Sequence, residues 1–318
     1  MAAVPALRDI EEARERIAGT ALRTPLVPLN VASGPAEIHL KLECLQPIGS
    51  FKIRGAANTI AQIPRERLAR GVLTASAGNM AQGVAWMARR LGVPCTVIAP
   101  ETAPVTKLEA IDRLGARVIR VSHDRWWQTF EERAYPGVEG EFVHAFDDPR
   151  VMAGNGTIGL EILEDLPEVD AVVIPWGGGG LTCGIAAAVK ARRPRCRIFA
   201  AEVETAAPLT ASLAAGAPVR VDPRPSFVDG VGGRAVFPSM FERARGLVDA
   251  AVVATLREVA DALRLMVERN RIVAEGAGAC PVASALAGRA GSGKVVCVVS
   301  GGNIDLDKLC AVLEGRLP

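Results

Sequence analysis

The sequence predicts an α/β protein, because short β-branched runs alternate with longer segments whose apolar residues recur at helical spacing. That alternation is the pattern of a mostly parallel sheet covered by helices, and 318 residues are enough to bury a large core. In chain order, strands are expected at 38–42 (IHLKL), 95–99 (CTVIA), 117–121 (RVIRV), 171–175 (AVVIP), 197–201 (RIFAA) and 295–300 (VVCVVS). A helix is expected over 80–91, just after Gly78 and Asn79, since Met80, Val84, Met87, Ala88 and Leu91 fall on one stripe. Segment 122–150, with Trp126, Trp127 and a Pro136-Gly137 turn, reads as the edge of a smaller domain. The Ala/Gly/Pro-rich stretches 205–218 and 222–238 read as loops, which at that length often carry function.

Charge and cysteine usage narrow the partners. The 37 basic and 35 acidic side chains nearly cancel, so no bulk electrostatic argument points to nucleic acid or an anionic membrane. The longest apolar runs fall far short of the ~20 residues that cross a bilayer, and acidic residues arrive early at the N-terminus, so a cytoplasmic protein without a secretory signal is expected. Seven scattered cysteines lack CxxC spacing, and His39, His123 and His144 show no ligand spacing; reduced cysteines and no transition-metal site follow.

Four segments carry chemistry. In KLECLQPIGSFKIRGAANTI (41–60) a strand ends in a turn and Lys52 opens a helix, where the dipole disfavours its charge and helps to make a nucleophilic amine. TASAGNMAQG (74–83) offers small residues at a helix start, suited to an anion, although an ordinary capped turn reads equally well. WGGGGLTCGIAAAVKARR (176–193) runs a strand into four glycines and a helix. Four glycines cost backbone entropy, and the return is a nest of unshielded N–H groups aimed at a phosphate. It is neither a Walker loop nor the dinucleotide GxGxxG. In VVCVVSGGNIDLDKL (295–309) a buried strand ends at Ser300 and a Gly-Gly turn, where α/β proteins place ligand contacts.

GSFKIRGA, an SxGN loop, a tetraglycine loop and a terminal SGGN, in that order, resemble the serine/threonine dehydratase and serine racemase family of fold type II pyridoxal-phosphate enzymes, over almost the whole chain. The resemblance implies two open, twisted, mostly parallel sheets covered by helices: a large cofactor-binding domain of residues 1–66 and 148–318, and a small mobile domain of residues 67–147. It implies that Lys52 condenses with the aldehyde of pyridoxal 5'-phosphate and later moves the substrate's Cα proton. Phe51 would lie against the pyridine ring, Asn79 would bond its 3′-oxygen, Ser300 would face its nitrogen, and Glu275 would border the cofactor. Gly177, Gly178, Gly179, Gly180 and Leu181 would cradle the phosphate. Ser76, Ala77, Gly78, Asn79 and Met80, with Gln82 nearby, would receive the substrate carboxylate. A neutral serine at the ring nitrogen favours elimination over transamination, so the implied reaction converts a small β-hydroxy amino acid such as L-threonine or L-serine to a 2-oxo acid and ammonia. A homodimer is implied as well.

The departures from that pattern shape the expectation further. Met80 stands where the family commonly has histidine, which makes the pocket more apolar. Cys183 replaces a serine after the glycine loop and Cys44 an asparagine. Ala77 stands where the racemase branch has a second serine, so dehydration without efficient racemisation is expected. Of that branch's divalent-cation site, Glu202 and the Ala206 carbonyl remain while Pro208 replaces a carboxylate, so cation dependence is not expected. The chain ends soon after SGGN, so no C-terminal regulatory domain is expected. The competing readings are racemisation, β-replacement as in cysteine synthases, whose TSGNTG and GTGGT loops are missing, and a catalytically silent pyridoxal-phosphate binder.

Overall fold

The computed structural model describes residues 3–103 and 105–318. Its strands are β1 (Leu26–Pro28), β2 (Glu37–Lys41), β3 (Val72–Ala75), β4 (Cys95–Pro100), β5 (Arg117–Val121), β6 (Glu141–Phe142), β7 (Ala171–Pro175), β8 (Arg197–Val203), β9 (Ala250–Ala254) and β10 (Lys294–Val298). Among the described residues they form two sheets, one of six strands in the order β1-β2-β10-β7-β8-β9 and one of four in the order β5-β4-β3-β6. Every pairing is parallel except β1 with β2. The α/β class and all six expected strands are present, β10 ending two residues before Ser300.

The strands that the periodicity missed have physical reasons for being missed. β1 and β6 are three and two residues long, too short to show alternation. β3 and β9 are Val/Ala/Leu/Thr runs without alternating polarity; β3 is buried throughout. Segment 205–218, expected as a loop, contains the helix Pro208–Ala215. Its signals are Pro208 at the first helical position and Gly216 in the left-handed region (φ 71°) at the end, an asymmetry that an Ala/Gly/Pro composition conceals.

Parallel topology brings the loops after β2, β10 and β7 to one end of the large sheet, where α/β proteins hold ligands. The helix Lys52–Ile60 follows β2, Pro149–Asp165 packs on it, and Gly180–Arg192 packs on Pro149–Asp165 in turn. These helices approach almost backbone to backbone. A Cβ at Gly154 would strike the Arg54 carbonyl, and one at Gly156 would come 2.8 Å from the Gly184 carbonyl. The main-chain position of Lys52 is therefore set by rigid helix packing rather than by a loop. Among the described residues no helix is long and apolar enough to cross a membrane.

Candidate active site

Lys52 is the first residue of its helix, as the sequence predicts, and Phe51 is the residue that caps it. The Lys52 Nζ donates to the Ala145 carbonyl at 2.7 Å and lies 5.2 Å from the centre of the Phe51 ring. Its pKa is lowered to about 8, first by desolvation, with Glu275 pulling in the opposite direction. Burial is thus the dominant cause of the nucleophilic amine, where sequence reasoning named the helix dipole.

The glycine loop faces Lys52 across the same cleft, a space of about 700 Å³ with its open mouth included. The Trp176 N–H is bonded to Ala201 O at 2.8 Å and the Cys183 N–H to Gly179 O at 2.8 Å. Among the described residues, no protein acceptor is bonded to any main-chain N–H from 177 to 182. Six donors at the start of the Gly180–Arg192 helix make a strong anion cradle. Two of the glycines are also required by their surroundings: a Cβ at Gly178 would enter the Phe146 ring, and Gly179 has φ 88° with Trp176 against it.

On the other wall, the Asn79–Leu91 helix starts at the SxGN loop. Asn79 Nδ2 donates to Glu275 Oε1 at 2.9 Å, while Asn79 Oδ1 accepts from Asn303 Nδ2 at 2.8 Å, and Asn303 also holds the Ile48 carbonyl at 2.9 Å. The SxGN and SGGN motifs are therefore tied to each other and to Glu275. Glu275 is pushed up to about 7, first by burial and then by Asp229; Lys107, the Asn79 bond and Lys52 oppose this. Buried Ser300 lies at the cleft, its carbonyl accepting from the Phe51 N–H at 3.0 Å.

Of the residues singled out in the sequence, Phe51, Lys52, Ser76, Asn79, Met80, Gly177, Gly178, Gly179, Gly180, Leu181, Glu275 and Ser300 all line this cleft. Ala77 and Gly78 lie on the loop between the wall residues Ser76 and Asn79, where the Gly78 N–H turns back to Ser76 Oγ at 3.2 Å, and Gln82 lies in the first turn of the helix, its N–H bonded to the Gly78 carbonyl. Sequence reasoning missed Ala145, Phe146, Gly230 and Val231. Ala145 contributes a carbonyl and Gly230 a stretch of main chain, which no residue type announces. The turn that carries Ala145 and Phe146 depends partly on His144, whose Nδ1 accepts the N–H groups of Phe146 (3.2 Å) and Asp147 (2.7 Å) and whose pKa burial pushes down to about 3. The imidazole is neutral and acts as a turn-former. Glu202 is likewise engaged structurally: its carboxylate accepts from the Leu209 and Thr210 N–H groups and from Thr210 Oγ1, capping the Pro208–Ala215 helix.

A buried amine of low pKa opposite an unpaired phosphate-sized cradle suits an aldehyde cofactor that carries a phosphate. The family model described as "Pyridoxal-phosphate dependent enzyme" matches residues 17–301. The chain belongs to this family. Among the relatives of this pyridoxal-phosphate enzyme, L-threonine ammonia-lyase of Thermotoga maritima is 42% identical over 98% of this chain and 79% of its own length. L-threonine dehydratase catabolic TdcB of Staphylococcus aureus is 38% identical over 99% of this chain and 93% of its own. Among solved structures, maize serine racemase aligns with a TM-score of 0.88 at 32% identity, covering 98% of both chains. The T.th. threonine deaminase aligns with a TM-score of 0.87 at 35% identity, covering 95% of this chain and 99% of that one.

Proposed function

We propose that this enzyme removes ammonia from a small β-hydroxy amino acid, L-threonine or L-serine, through β-elimination of the hydroxyl, and releases a 2-oxo acid. The observation that carries the reading is that Lys52 and the residues bearing five of the six unpaired N–H groups, Gly177 to Leu181, line one cleft. Relatives named for threonine deamination at 38–42% identity support the choice of substrate class.

In this reading the main chain of Gly177, Gly178, Gly179, Gly180 and Leu181 would hold the phosphate, and Phe51, Asn79 and Ser300 would hold the ring. The bound cofactor supplies an electron sink for the bond cleaved at Cα. Lys52 Nζ takes the Cα proton; an amine whose pKa burial has lowered to about 8 carries a far larger neutral fraction near physiological pH than an ordinary lysine and suits that task. Ser76 and the start of the Asn79–Leu91 helix orient the substrate carboxylate. Ala77 has no hydroxyl to deliver a proton to the opposite face of Cα, which favours elimination over the racemisation named for the maize structure. Residues 67–147, which contain the whole β3–β6 sheet, form the small unit whose closure excludes water, and a homodimer in the cytoplasm is the assembly proposed.

The test is 2-oxo acid release from a panel of L- and D-hydroxy amino acids, with Lys52→Ala as control. Lys52-dependent product from L-threonine or L-serine supports the reading. Cysteine formation from O-acetylserine and sulfide without 2-oxo acid release would replace it by β-replacement. A cofactor-loaded protein that turns over nothing in the panel would leave a silent binder.

A further inference from the structure

A second cavity adjoins the cleft. It has about 670 Å³ of space, mouth included, and shares Phe146, Gly177, Gly178, Gly230 and Val231 with the cleft, so these five residues form the wall between the two. Its own walls are aromatic. Trp127 meets Phe237 edge-on at 5.5 Å between ring centres, and Phe237 meets Phe146 edge-on at 5.1 Å. Val236 adds to the apolar lining. The acid of this annex, Asp229, is paired with Lys107, while Arg234 lies exposed at the wall with no ion-pair partner among the described residues.

Five glycines line the annex, and beyond Gly177 and Gly178 of the glycine loop, Gly230, Gly232 and Gly233 differ in what requires them. A Cβ at Gly230 would come 2.7 Å from Ala277 Cβ; Gly232 has φ 86° and Ala206 Cβ 2.6 Å away. At Gly233 no positive φ is imposed, and a Cβ would meet only Ala235 O at 3.8 Å. Packing therefore accounts for Gly230 and Gly232 but not for Gly233, whose missing side chain leaves the annex open.

We propose that the annex receives the β-substituent of the substrate and that this substituent is an aromatic ring, making 3-phenylserine-type β-hydroxy amino acids substrates of the site. The inference rests on the lyase reading and deepens it. The cofactor would occupy the glycine-loop side and the amino-acid carboxylate the Ser76 side, so a group on Cβ is directed past Phe146 into a space walled by rings. There an aryl group gains edge-to-face contacts that a methyl or hydrogen cannot make. The chemistry is unchanged: Lys52 takes the Cα proton, the Cβ–O bond breaks and hydroxide leaves as water, and hydrolysis of the resulting enamine returns one water and yields phenylpyruvate and ammonia.

The experiment measures kcat/KM for L-threonine, L-serine, 3-phenylserine and 3-hydroxyaspartate with the cofactor-loaded enzyme and with Gly233→Leu, which adds volume in open space. The expected result is that 3-phenylserine exceeds L-threonine, and that Gly233→Leu lowers the phenylserine-to-threonine ratio by about tenfold or more. Turnover of threonine or serine with none of phenylserine would overturn the annex while leaving the lyase reading intact. Preference for 3-hydroxyaspartate would overturn it in favour of a carboxylate held by Arg234. An unchanged ratio in Gly233→Leu would place the ring elsewhere. Turnover of no hydroxy amino acid would remove the lyase reading, and this inference with it.

Discussion

At the scale of single residues, Glu275 and Lys52 are held near neutrality by the same cause, desolvation, acting on groups of opposite sign. For Glu275 the folded-state pKa is raised from 4.5 to about 7. A raised carboxyl contributes stability that is fully present below its unfolded value and is lost as pH climbs through the folded one. Glu275→Gln keeps an oxygen for Asn79 Nδ2 and removes the titration. In urea unfolding of the cofactor-free protein, wild type and variant are expected to agree near pH 4.5, and the variant to become the more stable as pH passes 7, by at most roughly 3 kcal/mol. A difference that is constant with pH would show that Glu275 does not titrate in this window. Gly178 gives a second residue-scale prediction. Gly178→Ala drives a methyl into the Phe146 ring, so it is expected to cost about 1–3 kcal/mol of stability and to weaken cofactor retention, read from the absorbance that remains after dialysis.

At the scale of elements, the helix Lys52–Ile60 is fixed by a buried charge network as well as by close packing. The Arg54 guanidinium donates to both oxygens of Glu43 and both of Glu161, and Lys41 pairs with Glu161 at 2.6 Å, all beneath the surface. Arg54 holds Glu43 below the ordinary carboxylate range despite complete burial. Arg54→Leu would leave the buried Glu43 carboxylate without its ion-pair partner and Glu161 with Lys41 alone, so a loss of about 3–5 kcal/mol in denaturant unfolding is expected. Arg54 lies two residues from Lys52, so the variant tests how firmly the network seats the catalytic helix. This network was invisible in the sequence because Glu161 lies about a hundred residues beyond Lys41, Glu43 and Arg54, and each of the four reads singly as a surface charge. The four motif segments were legible because each combines a strand end, small residues and a helix start, a pattern that the fold translates directly into cleft wall. Ala145 and Phe146 were not, because they act through a carbonyl and a ring edge. The Pro208–Ala215 helix was hidden in the same way: the Glu202 that caps it lies on a different element.

At the scale of the whole molecule, what matters is how the part that carries the four-stranded sheet is held against the part that carries the six-stranded one. Between these parts, Lys107 on the helix Val105–Asp112 forms an ion pair with Asp229, which borders the annex and is the largest charged contributor to the raised pKa of Glu275. The ion pair between the two parts and the proton affinity of Glu275 thus share one residue, Asp229. Asp229→Asn is expected to act in two ways. Loss of an ion pair that is partly exposed on both sides is worth about 1 kcal/mol or less, so KM rises by no more than about fivefold. Removing the negative charge also takes away an influence that raises the Glu275 pKa, and the freed Lys107 lowers it further, so the fall in stability with rising pH moves to lower pH. In the double variant Asp229→Asn/Glu275→Gln that movement has no group to act on, and the pH dependence should match that of Glu275→Gln alone. An acid shift that survives in the double variant would mean that Asp229 acts through another group and that the ion pair and the buried carboxyl are independent.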